Sequence, residues 1–234
     1  MATQSSIKLQ IALDVWSLEE AFRILNDVAD YVDIIEAGTP LVVNEGMRLM
    51  HKIKEKYPNK TFVIDAKITD EFGIAKKAFA AGADVTTVLG ILSDESVKAV
   101  IKEGKKAGKK VAVDLMNVTN KLQRAKEVVD FGADQVLVHC GIDEQKLGKT
   151  PLKELCYFKK SPNIKVGVAG GITLDTIDHY IKAGANIIIV GGALVKSRDR
   201  ARIASEMKSH FLSHWKYSTK FSAACCFCQP AMWR

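Results

Sequence analysis

The chain has 234 residues, 47% of them hydrophobic and 26% charged, which suits one well-filled globular domain. No run approaches the roughly 18 apolar residues of a membrane span, and "MATQSSIKLQIALD" at the N-terminus lacks the apolar core of a signal peptide, so the cytoplasm is the expected compartment. Of the net charge of +7, three come from Lys216, Lys220 and Arg234 in an acid-free tail; no basic stripe is interleaved with aromatics, so the excess suits an anionic small molecule, not nucleic acid.

In chain order, the first buried-strand run is "LQIALD" (9–14), followed by a helical stretch with Ala21, Ile24, Leu25 and Val28 on one face. "VDIIEAG" (32–38) and "TFVIDAK" (61–67) come next, then the apolar end of "AAGADVTTVLG" (80–90) and a helix carrying Val97, Val100 and Ile101. "KKVAVDL" (109–115), "DFGADQVLVHCG" (130–141), "KVGVAGG" (165–171) and "KAGANIIIVGG" (182–192) complete eight strands. Three of these segments share a Gly, a small residue, then Asp or Asn before an apolar run; Gly82, Gly132 and Gly184 fit helix C-caps that need positive φ. Their spacing of about 50 residues is two βα units.

Eight alternations of buried strand and amphipathic helix predict a single-domain (β/α)8 barrel, placed at residues 1–211. The alternative is a doubly wound open sheet, which would more often carry GxGxxG after its first strand; none is present. After the helix "ARIASEMKSHF", residues 212–234 show no clear period and read as an appendage containing Cys225, Cys226 and Cys228. Cys140 and Cys156 stand far apart in regular elements, which does not suggest a disulfide framework.

Such a barrel builds its active site at the C-terminal ends of the strands. Read there, strand 1 ends at Asp14, strand 2 at Glu36, and strand 3 at Asp65, Lys67 and then Asp70; strand 5 ends at Asp114 and strand 6 at His139. Alternation places Asp65 and Lys67 on one face, with Asp70 in the loop beyond. Five carboxylates converging on one rim need countercharge. Lys67 supplies one, and a divalent metal held by hard oxygens, Mg2+ before Zn2+, is the obvious second. The glycines ending strands 7 and 8, Gly170, Gly171, Gly191 and Gly192, suit backbone N–H groups approaching a phosphate.

Together, "LQIALD", "IIEAGTPLVVNEG", "DAKITD", "VAVDLMNV", "VHCGIDEQ", "VAGGI" and "VGGAL" resemble the orotidine-5′-phosphate decarboxylase suprafamily of phosphate-binding barrels, over about Leu9 to Met207. The resemblance is to its group of metal-using members that form a 1,2-enediolate from a ketose phosphate. It implies a homodimer with Asp65 and Lys67 acting in their own site and Asp70 in the partner's. It implies Mg2+ held by Glu36 and Asp65. Around an enediolate, Lys67 is then expected to donate to developing charge, His139, of a residue type that titrates near neutrality, to move protons, Asp14 and Asp114 to orient the substrate or assist, and the four glycines to hold phosphate. One branch of the group joins formaldehyde to D-ribulose 5-phosphate; another decarboxylates 3-keto-L-gulonate 6-phosphate. The decarboxylating pattern has Glu at Asp114 and Arg at Ile142 and Gly192, so the aldol branch is favoured, with a non-catalytic phosphosugar-binding barrel as the third reading. "EFG" (71–73) replaces the family's usual Ala-Gly after Asp70.

Overall fold

The computed structural model describes residues 7–218, with side chains as far as Phe211. Eight strands pair in parallel and in sequence order, and the first pairs with the last, so the sheet is closed. They are β1 Lys8–Leu13, β2 Ile34–Ala37, β3 Thr61–Ile68, β4 Val85–Leu89, β5 Lys110–Asp114, β6 Gln135–His139, β7 Val166–Ala169 and β8 Ile187–Val190. Between them run α1 Leu18–Val28, α2 Thr39–Glu45, α3 Leu49–Lys56, α4 Gly73–Ala80, α5 Asp94–Ala107, α6 Lys121–Asp130, α7 Ile142–Lys146, α8 Leu152–Tyr157 and α9 Ile177–Lys182, with α10 Gly192–Val195 and α11 Arg200–Ser218 after β8. The fold is the (β/α)8 barrel expected from the strand count, and Leu9 beside Ile188 closes it where an open sheet would have an edge.

Strand alternation divides the core in two. Leu9, Ile11 and Leu13 face the helices, while Ala12, Ile34, Val63, Val85, Ala112, Leu137, Ala169, Ile187 and Ile189 fill the barrel interior. Alternating alanines with branched residues lets the inward layers interdigitate. The helices cover the outer face with the stripes read from sequence: α1 buries Ala21, Ile24, Leu25 and Val28, and α5 buries Val97, Val100 and Ile101. Ser17 caps α1, its Oγ accepting from the Glu20 N–H at 3.2 Å.

The repeated Gly-small-Asp/Asn signature has two physical parts. Gly82, Gly132 and Gly184 take φ of 101°, 98° and 96°. Each ends its helix the same way: the next residue's N–H (Ala83, Ala133, Ala185) donates back to Ala78, Val128 or Tyr180, the bond pattern of a Schellman cap. The acid or amide that follows then ties down the preceding strand. Asp84 accepts from the Phe62 N–H at 3.0 Å, Asp134 from Val111 at 2.9 Å and Asn186 from Val166 at 2.7 Å. Asp33, before β2, does the same for Leu9 at 2.9 Å, though Tyr31 and Val32 stand where the others have Gly and Ala. The 50-residue period is therefore a pair of strands clamped at their N-terminal ends.

Three differences from the sequence reading stand out. β1 stops at Leu13, leaving Asp14 one residue beyond it. β3 carries a bulge: Ile64 pairs with Thr86 and Ile68 with Val88, so four steps on β3 match two on β4. α11 continues to Ser218, past 211; the remaining tail with its three cysteines lies outside the described residues. Among the described residues no helix is long and apolar enough to cross a membrane.

Candidate active site

The C-terminal ends of β1, β2, β3, β5 and β6 bring charged groups to one rim. Lys67 is the centre. Its Nζ lies 2.6 Å from Asp65 Oδ2 and 3.4 Å from Asp114 Oδ2. The bulge, not plain alternation, sets this geometry: Lys67 takes φ +41°, a conformation side-chain-bearing residues rarely adopt. It is held there by its own N–H, which donates to Thr87 Oγ1 at 2.9 Å. Thr87 in turn donates to Asp65 Oδ1 at 2.7 Å, and the Thr39 hydroxyl reaches Asp65 Oδ2 at 2.9 Å. Both oxygens of Asp65 are thus fixed before any ligand arrives.

Asp114 is fully buried and joins Lys67 to His139, whose Nδ1 lies 2.8 Å from Asp114 Oδ2; Asp114 Oδ1 accepts from the Met116 N–H at 2.9 Å. A carboxylate can only accept, so His139 carries its proton on Nδ1 and leaves Nε2 for a substrate. Burial works against the Asp114 charge, but the His139 and Lys67 partners overcome it and hold the carboxyl below its ordinary value. Burial likewise opposes the Lys67 ammonium, and Asp65 with Asp114 override it, raising Lys67 above the usual lysine range.

Glu36 is buried on β2, with Oε2 accepting from Gln10 Nε2 at 2.7 Å. Burial first, and the Asp65 charge second, push its carboxyl well above the ordinary range. One ammonium, Lys67, is shared among Asp65, Asp114 and Glu36, and a rim with that balance of charge fits a hard divalent cation. Among the described residues no three His, Cys, Asp or Glu side chains form a metal cage. Glu36 and Asp65 would be the protein's share, with water or substrate oxygens completing the shell, which is how Mg2+ is usually held.

Asp14 stands at the open mouth, and burial of its inner side, then Asp65, raise its carboxyl while Lys67 and His139 pull it down. It is wedged between two glycines: a side chain at Gly38 would overlap Asp14 Oδ1, and one at Gly191 would come within 3.1 Å of Oδ2. Gly170 is required by packing, since at φ +119° an added Cβ would lie 2.5 Å from the Cys140 carbonyl. Gly171 faces Gln145, and Gly192 opens α10 with free space around it. Asp70 does not join the cluster within one chain; β3 ends at Ile68 and Asp70 lies exposed beyond it.

Sequence reasoning missed Gln10, Thr39 and Thr87, which orient the charged groups. Gln10 had a legible signal, an amide inside the apolar run "LQIAL". The threonines had none, because hydroxyls are common in strands and at helix starts.

The model of the Orotidine 5'-phosphate decarboxylase / HUMPS family matches residues 7–207. The 3-hexulose-6-phosphate synthase of Bacillus subtilis (strain 168) is 42% identical over 204 residues, covering 86% of this chain and 97% of that protein. The crystal structure of 3-hexulose-6-phosphate synthase from Salmonella typhimurium superposes with a TM-score of 0.86 at 38% identity, covering 89% of this chain and all (100%) of that one. That of 3-keto-L-gulonate-6-phosphate decarboxylase from Vibrio cholerae gives 0.79 at 28% identity, over 90% of this chain and 100% of the other.

Proposed function

The chain belongs to the orotidine 5'-phosphate decarboxylase / HUMPS family, where it stands with the 3-hexulose-6-phosphate synthases, and from that membership we propose that it is an aldehyde-lyase joining formaldehyde to D-ribulose 5-phosphate. The observation that carries the chemistry is the Asp65–Lys67–Asp114–His139 network, an ammonium and an oriented imidazole side by side on one rim. Asp114, with Ile142 and Gly192 where the decarboxylating pattern has arginines, supports the aldol branch.

In the proposed reaction the C1–H bond of the ketose breaks and its proton passes to His139 Nε2. The electron pair delocalises as a 1,2-enediolate, whose growing negative charge Lys67 Nζ meets as a donor fixed in advance. C1 then bonds the formaldehyde carbon as its C=O π bond opens, and the former aldehyde oxygen takes back the proton held on His139 Nε2 to become the new primary hydroxyl. Asp114 keeps the His139 tautomer throughout. Mg2+ held by Glu36 and Asp65 would supply Lewis-acid stabilisation of the vicinal oxygens. Asp14 orients substrate hydroxyls, and the backbone at Gly170, Gly171, Gly191 and Gly192 receives the phosphate. The exposed Asp70 completes the site of a partner in a homodimer.

The half-reaction tests this directly. Ribulose 5-phosphate incubated with enzyme and Mg2+ in D2O, without formaldehyde, should exchange its C1 proton by NMR. His139→Ala should slow that exchange by about 10²–10⁴, the usual contribution of a positioned base. Exchange at the wild-type rate in that variant would assign proton transfer to another group.

A further inference from the structure

The opposite, N-terminal mouth of the barrel holds a cavity of about 440 Å³ that the proposed reaction does not use. Five lysines line it (Lys8, Lys60, Lys110, Lys165 and Lys208) against two carboxylates, Asp30 and Asp33. Asp33 is already engaged: it accepts from the Leu9 N–H and pairs with Lys208 and, at 3.6 Å, with Lys8. Lys60 Nζ donates to the Val32 carbonyl at 2.9 Å. Among the described residues Lys110 and Lys165 have no carboxylate within ion-pair distance. Lys165 is exposed, yet partial desolvation first, then the ammoniums of Lys110 and Lys8, lower its pKa from the ordinary lysine value, with Asp134 opposing. Gln10 also lines the cavity. It is 2% exposed, its Nε2 is turned to Glu36, and its Oε1 is buried without a hydrogen-bond partner. Such an orphaned acceptor is uncommon in a folded protein.

We propose that this mouth binds an oxyanion of the phosphate type that also carries an O–H. Lys110 and Lys165 donate to its oxygens, which relieves their mutual repulsion. Gln10 Oε1 is closed to solvent as it stands, and a turn of its side chain into the cavity would present it to that O–H. Val63, Val85 and Ile187 also line the cavity, while Lys110 and Lys165 keep their contact with solvent. Orthophosphate, with its P–O–H, and a small sugar monophosphate, with its hydroxyls, both meet this requirement. Sulfate has the charge and shape without the O–H.

Calorimetric titration of orthophosphate, glucose 6-phosphate and sulfate into wild type and into Lys110→Ala/Lys165→Ala tests the site. Binding is read apart from turnover, so the outcome does not depend on the reaction assigned to the rim. Losing the two donors should weaken the occupied phosphate species by about tenfold or more, leave kcat and KM unchanged, and be largely reversed in Lys110→Arg/Lys165→Arg. The tighter of orthophosphate and glucose 6-phosphate identifies the source, and either supports the site. An unchanged isotherm in the alanine variant would overturn it, because all phosphate binding would then lie elsewhere. Sulfate binding as tightly as phosphate, with both lost in ~0.3 M NaCl, would also overturn it, as a diffuse counterion atmosphere.

Discussion

Lys67 is the ammonium at the centre of the rim's charged groups, and its surroundings say what its loss should do. Removing a preorganised donor of this kind costs about 3–4 kcal/mol, so Lys67→Ala should lower kcat by about 10²–10³. Its effect on stability should depend on pH. Asp114 titrates below the ordinary aspartate value of 3.8, so its contribution is present above that value and lost as pH falls through the lowered one. Lys67 titrates above the ordinary lysine value of 10.5, so its contribution is present below that value and lost only as pH rises through the raised one. The urea midpoint of Lys67→Ala should therefore fall well below wild type at pH 7, and the gap should shrink at about pH 3; an equal gap at both would contradict the pairing. Asp65, Lys67, Asp114 and His139 were legible because each ends an apolar run where a buried strand has no need of charge. The conformation that aims Lys67 was not, since nothing in "DAKITD" marks the bulge or the distant Thr87 that holds it.

At the scale of elements, the four strand clamps divide the barrel into pairs. Asn186 fills one clamp position and Asp134 another, and both accept a single strand N–H. The carbonyl oxygen is what matters there, not the charge. Asp134→Asn should leave stability nearly unchanged, whereas Asp134→Ala, which strips the Val111 N–H of its partner, should cost about 1–2 kcal/mol. Thermal unfolding of the two variants decides it, and equal losses would show the interaction to be electrostatic. Gly82, Gly132 and Gly184 could be read as helix ends because glycine with a following Asp or Asn recurs at one spacing. Asp33 escaped that reading, because its turn is built from Tyr31 and Val32. The helices α2, α7 and α10 also escaped, each too short to show a period.

At the scale of the whole molecule, eight apolar runs were enough to call for a closed barrel, and closure is what gathers strand ends far apart in the sequence onto one rim. The lysines of the far mouth were not legible, because Lys110 or Lys165 alone looks like an ordinary solvated side chain, and only closure brings them to one cavity. Asp70 belongs to this scale too. If it serves the partner of a homodimer, mixing inactive Lys67→Ala and Asp70→Ala subunits in equal amounts should restore about a quarter of wild-type activity, one intact site in each heterodimer. No recovery after subunit exchange would place Asp70 in its own chain's site. The most direct measurement remains a paired assay of the purified protein with Mg2+ and then with EDTA. One arm offers ribulose 5-phosphate and formaldehyde and follows formaldehyde; the other offers 3-keto-L-gulonate 6-phosphate and follows CO2. The synthase reading requires formaldehyde consumption that EDTA and Lys67→Ala both abolish. Carbon dioxide release as the dominant activity, or silence in both arms, would contradict it.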